Sequence, residues 1–143
     1  MQRSVEELFK RYAEFFRKGL ANEADMDEVV SSYADAFVAA SPAGVISGRN
    51  DEGLKAVMTQ GFERYRQQGT TGMTLRNLRI HSIDANHCLA HVGWTATYKR
   101  KDSTEVAIDF EVHYLVQQLS AEPKIFGWVS GDEQALLKEH GIV

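Results

Sequence analysis

Residues 87–119 read HCLAHVGWTATYKRKDSTEVAIDFEVHYLVQQL, and the alternation in this stretch decides the fold. Cys88, Ala90, Val92, Trp94, Ala96 and Tyr98 interleave with Leu89, His91, Gly93, Thr95, Thr97 and Lys99. Further on, Val106, Ile108, Phe110, Val112, Tyr114 and Val116 interleave with Ala107, Asp109, Glu111, His113, Leu115 and Gln117. A period of two marks half-buried strands, here over 87–100 and 104–119. Opposed residues of an antiparallel pair share a face. The two apolar sets are both even-numbered, so they meet only if paired numbers sum to an even value. A three-residue loop at Lys101-Asp102-Ser103 satisfies this, with Arg100 opposite Thr104. Trp94 then faces Phe110 and Ala90 faces Tyr114 on one side, and His91 faces His113 on the other. The basic run Lys99-Arg100-Lys101 becomes a hairpin tip rather than a phosphate site.

Outward from this hairpin, alternation predicts a strand over 73–82 before it and one over 123–129 after it. A short helix follows over 132–140, capped by Asp132 and stopped by Gly141. The first half of the chain reads as helical. Val5, Leu8, Phe9, Tyr12, Phe15, Phe16 and Leu20 trace one broad apolar face, and Ser4 with Glu7 has capping-box spacing. Gly19 and Asn22 suit the end of that helix. Asp25 and Glu28 offer a second box, opening a shorter helix with Met26, Val29, Val30, Tyr33 and Phe37 as its apolar positions. Residues 36–40 either extend it or form a strand, and Pro42 favours the strand by disfavouring helix at Ser41. Residues 44–48 read as another short strand. Asn50 or Asp51 caps a third helix with Leu54, Val57, Met58, Gly61, Phe62 and Tyr65 on one side, ended by Gly69 and Gly72.

These elements make an α+β chain in which three N-terminal helices pack on a curved antiparallel sheet. With 143 residues, two prolines and no linker or repeat, residues 1–143 are expected to form one domain. A net charge of −4 argues against nucleic acid and acidic membrane surfaces as partners. No apolar run approaches the roughly 18 residues of a spanning helix. The charged start MQRSVEELFKRY is unlike a signal peptide, so a cytoplasmic location is expected. Cys88 is the single cysteine and sits in an apolar run, which reads as an inert packed thiol.

The order helix–helix–short strands–helix–long sheet resembles the nuclear transport factor 2-like superfamily, whose cone-shaped, cystatin-like fold includes SnoaL-like proteins and ketosteroid isomerases. Arg11-Tyr12, Tyr33-Ala34-Asp35 ahead of Pro42, Ile46-Ser47-Gly48-Arg49, Ala107-Ile108-Asp109 and Lys124-Ile125 carry the resemblance, which spans nearly the whole chain. It implies a cavity at the wide end of a cone. The isomerases resembled here keep a carboxylate base just before the proline, where this chain has Ser41. They keep a protonated aspartate donor in the long strand, where it has Val112. Tyr12 alone matches, as their first-helix tyrosine donor. Serine cannot act as that base and valine donates nothing, so steroid-isomerase-like chemistry is excluded. The match also orients the hairpin: Val112 faces the cavity, and Asp109, Glu111 and His113 face away.

The candidate ligand pocket therefore comprises Tyr12, Phe16, Tyr33, Phe37, Ser41, Phe62, Trp94, Phe110, Val112, Tyr114 and Trp128, an aromatic lining whose polar points are the tyrosines and Ser41. It suits a small, mostly apolar molecule with one or two oxygens. No catalytic residue, cofactor or metal is assigned. Asp109, Glu111, His91 and His113 read as the polar side of a half-buried sheet, and that side is expected to hold a homodimer contact. Two alternatives stand beside ligand binding. One is a SnoaL-like isomerase, cyclase or hydrolase acting on a polyketide-, terpene- or steroid-like compound through Asp35, Tyr12 or a bound water. The other is a non-catalytic dimerisation or partner domain.

Overall fold

A computed structural model describes residues 1–143. The chain runs α1 (Gln2–Leu20), α2 (Met26–Val30), β1 (Tyr33–Ser41), β2 (Gly44–Arg49), α3 (Glu52–Gln67), β3 (Thr70–Ser82), β4 (His87–Lys99), β5 (Glu105–Gln117), β6 (Lys124–Ser130) and α4 (Glu133–Glu139). All six strands join one sheet in the order β2-β1-β6-β5-β4-β3. Every pairing is antiparallel except β1 with β6, which is parallel.

The β4–β5 register is the one the alternation requires. Trp94 pairs with Phe110, Ala90 with Tyr114 and His91 with His113. Arg100 N–H donates to the Thr104 carbonyl at 2.8 Å, and Ser103 takes a positive φ of 70° to close the loop. The even-numbered side is buried, with Val92 at 0%, Trp94 at 1% and Ile108 at 3% exposure. Register shifts interrupt β3–β4 between Leu75 and Asn77, β5–β6 between Leu115 and Val116, and β1–β6 between Tyr33 and Val38. Such bulges bend strands and raise local twist, curving the sheet around the helices.

The helical stripe of α1 buries Val5, Leu8, Phe9, Tyr12 and Phe15. Gly19 is where α1 meets α3: a Cβ there would stand 2.5 Å from the Phe62 ring, so only glycine permits this approach. Asn22 follows at φ 59°, the left-handed turn that ends the segment.

Several local expectations need correction. Ser4 and Glu7 form no capping box, because α1 begins earlier, with Met1 at its N-cap and no side-chain cap. Asp25 does cap α2, accepting from the N–H groups of Asp27 and Glu28, but α2 is one short turn. Tyr33, read as a helical position, lies in β1 together with Phe37, where the strand favoured by Pro42 over 36–40 extends back to Tyr33; a spacing of four fits a strand face as well as a helix face. Asp51 caps α3, whereas Asn50 donates its side-chain amide to the Val30 and Tyr33 carbonyls at 2.8 and 3.1 Å, tying α2 to β1. Gly69, at φ 83°, makes the turn after α3, but Gly72 already belongs to β3. At the far end, Arg100 donates twice to the His140 carbonyl (3.2 and 2.8 Å), fastening α4 to the hairpin tip. No helix is long and apolar enough to cross a membrane.

Candidate functional site

A half-open cavity of about 680 Å³ lies between α1, α3 and the inner face of the sheet. Its aromatic wall comes from period-3.6 positions of the helices, even-numbered positions of β4, β5 and β6, and Tyr33 at the start of β1. Tyr12, Phe15 and Phe16 enter from α1, and Tyr33 from β1. Phe62 and Tyr65 enter from α3, Trp94 from β4, Phe110, Val112 and Tyr114 from β5, and Trp128 from β6. Val29 of α2, Val57, Met58, Gly61 and Arg64 of α3, Ser41, Pro42 and Ala43 of the β1–β2 turn, and the segment Ser130–Gln134 complete the lining. The rings meet mostly edge to face: Tyr12 on Phe16 at 5.4 Å, Phe16 on Trp94 at 5.4 Å, and Tyr33 on Trp128 at 5.5 Å. That geometry holds their faces at fixed angles around open space.

Polar groups are few and defined. The hydroxyls of Tyr12 and Tyr33 are hydrogen-bonded to each other, and both residues are nearly inaccessible. Burial pushes the Tyr12 phenol above its ordinary value. Burial pushes Tyr33 well above it, with Tyr12 and then Tyr114 adding to the effect. Burial does the same to Tyr114, as it does to Tyr65, where the charge of Glu133 contributes next. These phenols stay neutral in ordinary buffers and act as hydrogen-bond donors and acceptors, not as bases. Tyr65 donates to Glu133 Oε2 at 3.4 Å. Burial raises the Glu133 carboxyl, and the hydrogen bond from Tyr65 and the charge of Arg64 oppose that in turn.

The cavity brings together ten of the eleven residues expected from the sequence. Phe37 is the exception: its ring is stacked on Trp128 (5.2 Å, 18° between planes) and packed against Gly48, and does not reach the wall. Ser41 sits at the rim, where its Oγ accepts from the Ala43 N–H at 3.2 Å. Asp35 is exposed on β1 and outside the lining, which removes it as the acid of the catalytic alternative. Asp132 both caps α4, accepting from Ala135 N–H at 2.9 Å, and lines the cavity, whereas its cap spacing suggested the first role alone. Sequence reasoning missed Glu133 and left Tyr65 unassigned. Tyr65 had a signal, lying three residues after Phe62 on the same helix face. Glu133 had none, since an acid in a first helical turn ordinarily faces water.

On the opposite face, His91 Nδ1 and His113 Nδ1 are 2.7 Å apart. Burial lowers the His91 pKa first, followed by the neighbouring His113 and Arg79. Asp109 accepts from Thr95 Oγ1 at 2.7 Å and lies 3.7 Å from Arg76. These groups and Glu111 all stand outside the cavity. Cys88 is buried, and burial raises its thiol.

A family model described as "NTF2-like protein (DUF6841)" matches residues 3–133. No curated protein matches the chain. Among solved structures, an NTF2-like protein with a cystatin-like fold from Novosphingobium aromaticivorans is similar at TM-score 0.71 and 11% identity, covering 99% of this chain and 88% of its own. Aln2 from a Streptomyces species is similar at TM-score 0.69 and 11% identity, covering 96% and 94%. A ketosteroid isomerase-like protein from Erwinia carotovora atroseptica is similar at TM-score 0.61 and 13% identity, covering 90% and 93%. At these identities the likeness establishes a shared fold, and no specific reaction comes with it.

Proposed function

We propose that this chain, which belongs to the NTF2-like protein family DUF6841, is a single ligand-binding domain whose cavity takes a small, mostly apolar molecule with one or two oxygens. The observation that carries this is the cavity itself. At about 680 Å³ it falls within the roughly 300–1,000 Å³ of small-molecule sites. A wall of rings supplies the apolar contact, and the Tyr12–Tyr33 hydroxyl pair offers a neutral donor and acceptor to an oxygen. Both tryptophans of the chain line this space, so tryptophan fluorescence is sensitive to what enters it. Titration with 2-naphthol is expected to quench that fluorescence. Gly61 lines the cavity with open space beside it, and Gly61→Leu is expected to abolish the response. Unchanged quenching in that variant would remove the reading.

The catalytic version, an isomerase, cyclase or hydrolase on a polyketide-, terpene- or steroid-like compound, gains support from one observation only. Glu133 and Asp132, not Asp35, put carboxyls on the wall. The proposal also includes a cytoplasmic homodimer formed through the outer sheet face, where half-buried Leu89 and Leu115 flank the His91–His113 pair. Sedimentation showing a monomer at micromolar concentration would exclude the dimer.

A further inference from the structure

We propose that the ligand of this cavity is a cation, an apolar ammonium whose charge rests against Glu133 among the surrounding aromatic rings. The inference deepens the ligand-binding reading above and rests on it. Glu133 is a half-buried acid on the cavity wall. None of the chain's ion pairs includes it. Its one side-chain hydrogen bond, from the Tyr65 hydroxyl, is long at 3.4 Å, which leaves acceptor capacity unused. A crevice beside it is lined by Tyr65, Tyr98 and Phe110, so an apolar surround withholds the water that would otherwise solvate the charge.

Three ligand classes can be weighed against this wall. A neutral apolar ligand would strip more water from the acid and leave nothing in its place, which is costly. An anion would meet Glu133 and, at the mouth, Asp132, against a single exposed cation, Arg64. An ammonium restores a partner to the carboxylate and lies against ring faces that attract positive charge. The ring path is continuous, from Tyr65 to Phe16 at 6.0 Å and on to Trp94 at 5.4 Å. The Tyr12–Tyr33 pair lines the same cavity and is available to an oxygen elsewhere on the same molecule.

The test uses phenyltrimethylammonium and its neutral isostere tert-butylbenzene, read by tryptophan quenching in the wild-type chain and in Glu133→Gln. A permanently charged probe removes titration of the ligand from the result. Wild type is expected to bind the cation on the order of tenfold more tightly than the isostere. Glu133→Gln is expected to lose that preference, binding the cation more weakly and, with no charge left to desolvate, tert-butylbenzene more tightly. Cation binding should weaken as pH falls through the raised Glu133 pKa. The other groups around Glu133 are Tyr12, Tyr65, Tyr98, Tyr114 and Arg64, with Asp132 its chain neighbour on the same cavity wall. The four phenols are shifted upward, away from this range. Equal binding of both probes, or a preference that survives Glu133→Gln, overturns the cation and leaves the cavity reading standing. Quenching by neither probe overturns both.

Discussion

The hydroxyl pair at Tyr12 and Tyr33 permits a sharp energetic test. Tyr33 is 4% exposed and Tyr12 9%, and each hydroxyl has the other as its side-chain partner. Tyr33→Phe removes one buried hydrogen bond, worth about 1 kcal/mol net, and strands the Tyr12 hydroxyl, for which the full desolvation cost is about 1–3 kcal/mol. Both rings line the cavity, so water can reach the stranded group and the cost falls at the low end. Each single variant should therefore lose about 1–1.5 kcal/mol of stability. The double variant leaves no stranded hydroxyl and replaces two polar groups with apolar ones. Its loss should be about the same as one single variant, giving a coupling of about 1 kcal/mol. Urea unfolding followed by tryptophan fluorescence measures all four corners of this cycle, and an unchanged slope confirms that stability alone has moved. Strict additivity, with the double variant losing the sum of the singles, would refute a mutually satisfied pair.

Gly19→Ala should destabilise by about 1–3 kcal/mol, because the new methyl collides with Phe62 and outweighs the ~1 kcal/mol helix-propensity gain. Thermal unfolding checks this, and Phe62→Leu in the same chain should recover part of the loss. Glu133 binds its proton more tightly folded than unfolded. Its contribution is therefore present below its ordinary value of 4.5 and is lost as pH rises through the raised one. Glu133→Gln should match wild type near about pH 4 and exceed it near about pH 8 in urea midpoint, and a constant difference would contradict the assignment. Cys88, buried and shifted upward, should react with an aromatic disulfide reagent only as fast as the chain unfolds; rapid native labelling would show it accessible.

The central hairpin was legible because two constraints met there. Parity of the apolar pattern restricted the register, and a short loop selected one member of the allowed set. Parity places Val112 and Tyr114 on the apolar face, and the resemblance to the NTF2-like fold marks that face as the cavity side. The strand over 36–40 favoured by Pro42 is present and begins earlier, at Tyr33; the spacing of four between Tyr33 and Phe37 satisfies both periods, and only the pairing of β1 with β2 and β6 decides between them. Strand β3 starts earlier than its alternation suggested, since Gly72 looks like a terminator until it pairs opposite Thr97. Glu133 escaped notice for a different reason. Its burial depends on where α4 folds back, held by Arg100 to the tip of a hairpin far upstream in the chain. Local pattern carries no information on such a docking.

The parallel pairing of β1 with β6 has a consequence for the order in which this molecule assembles. Tyr33 lies beside Ile125 and Ala40 beside Val129, partners about ninety residues apart, and contacts of such sequence separation form slowly because a long loop must close first. Until β6 is in place, β1 and β2 are a lone hairpin, marginal by itself. The cavity wall that carries Tyr33 and Ser41 is therefore the last to close, after the β3–β4–β5 meander has its own local contacts. Pulsed amide exchange during refolding should find the Val38–Ala40 amides protected later than those of β4, and simultaneous protection would show that the two halves of the sheet condense together.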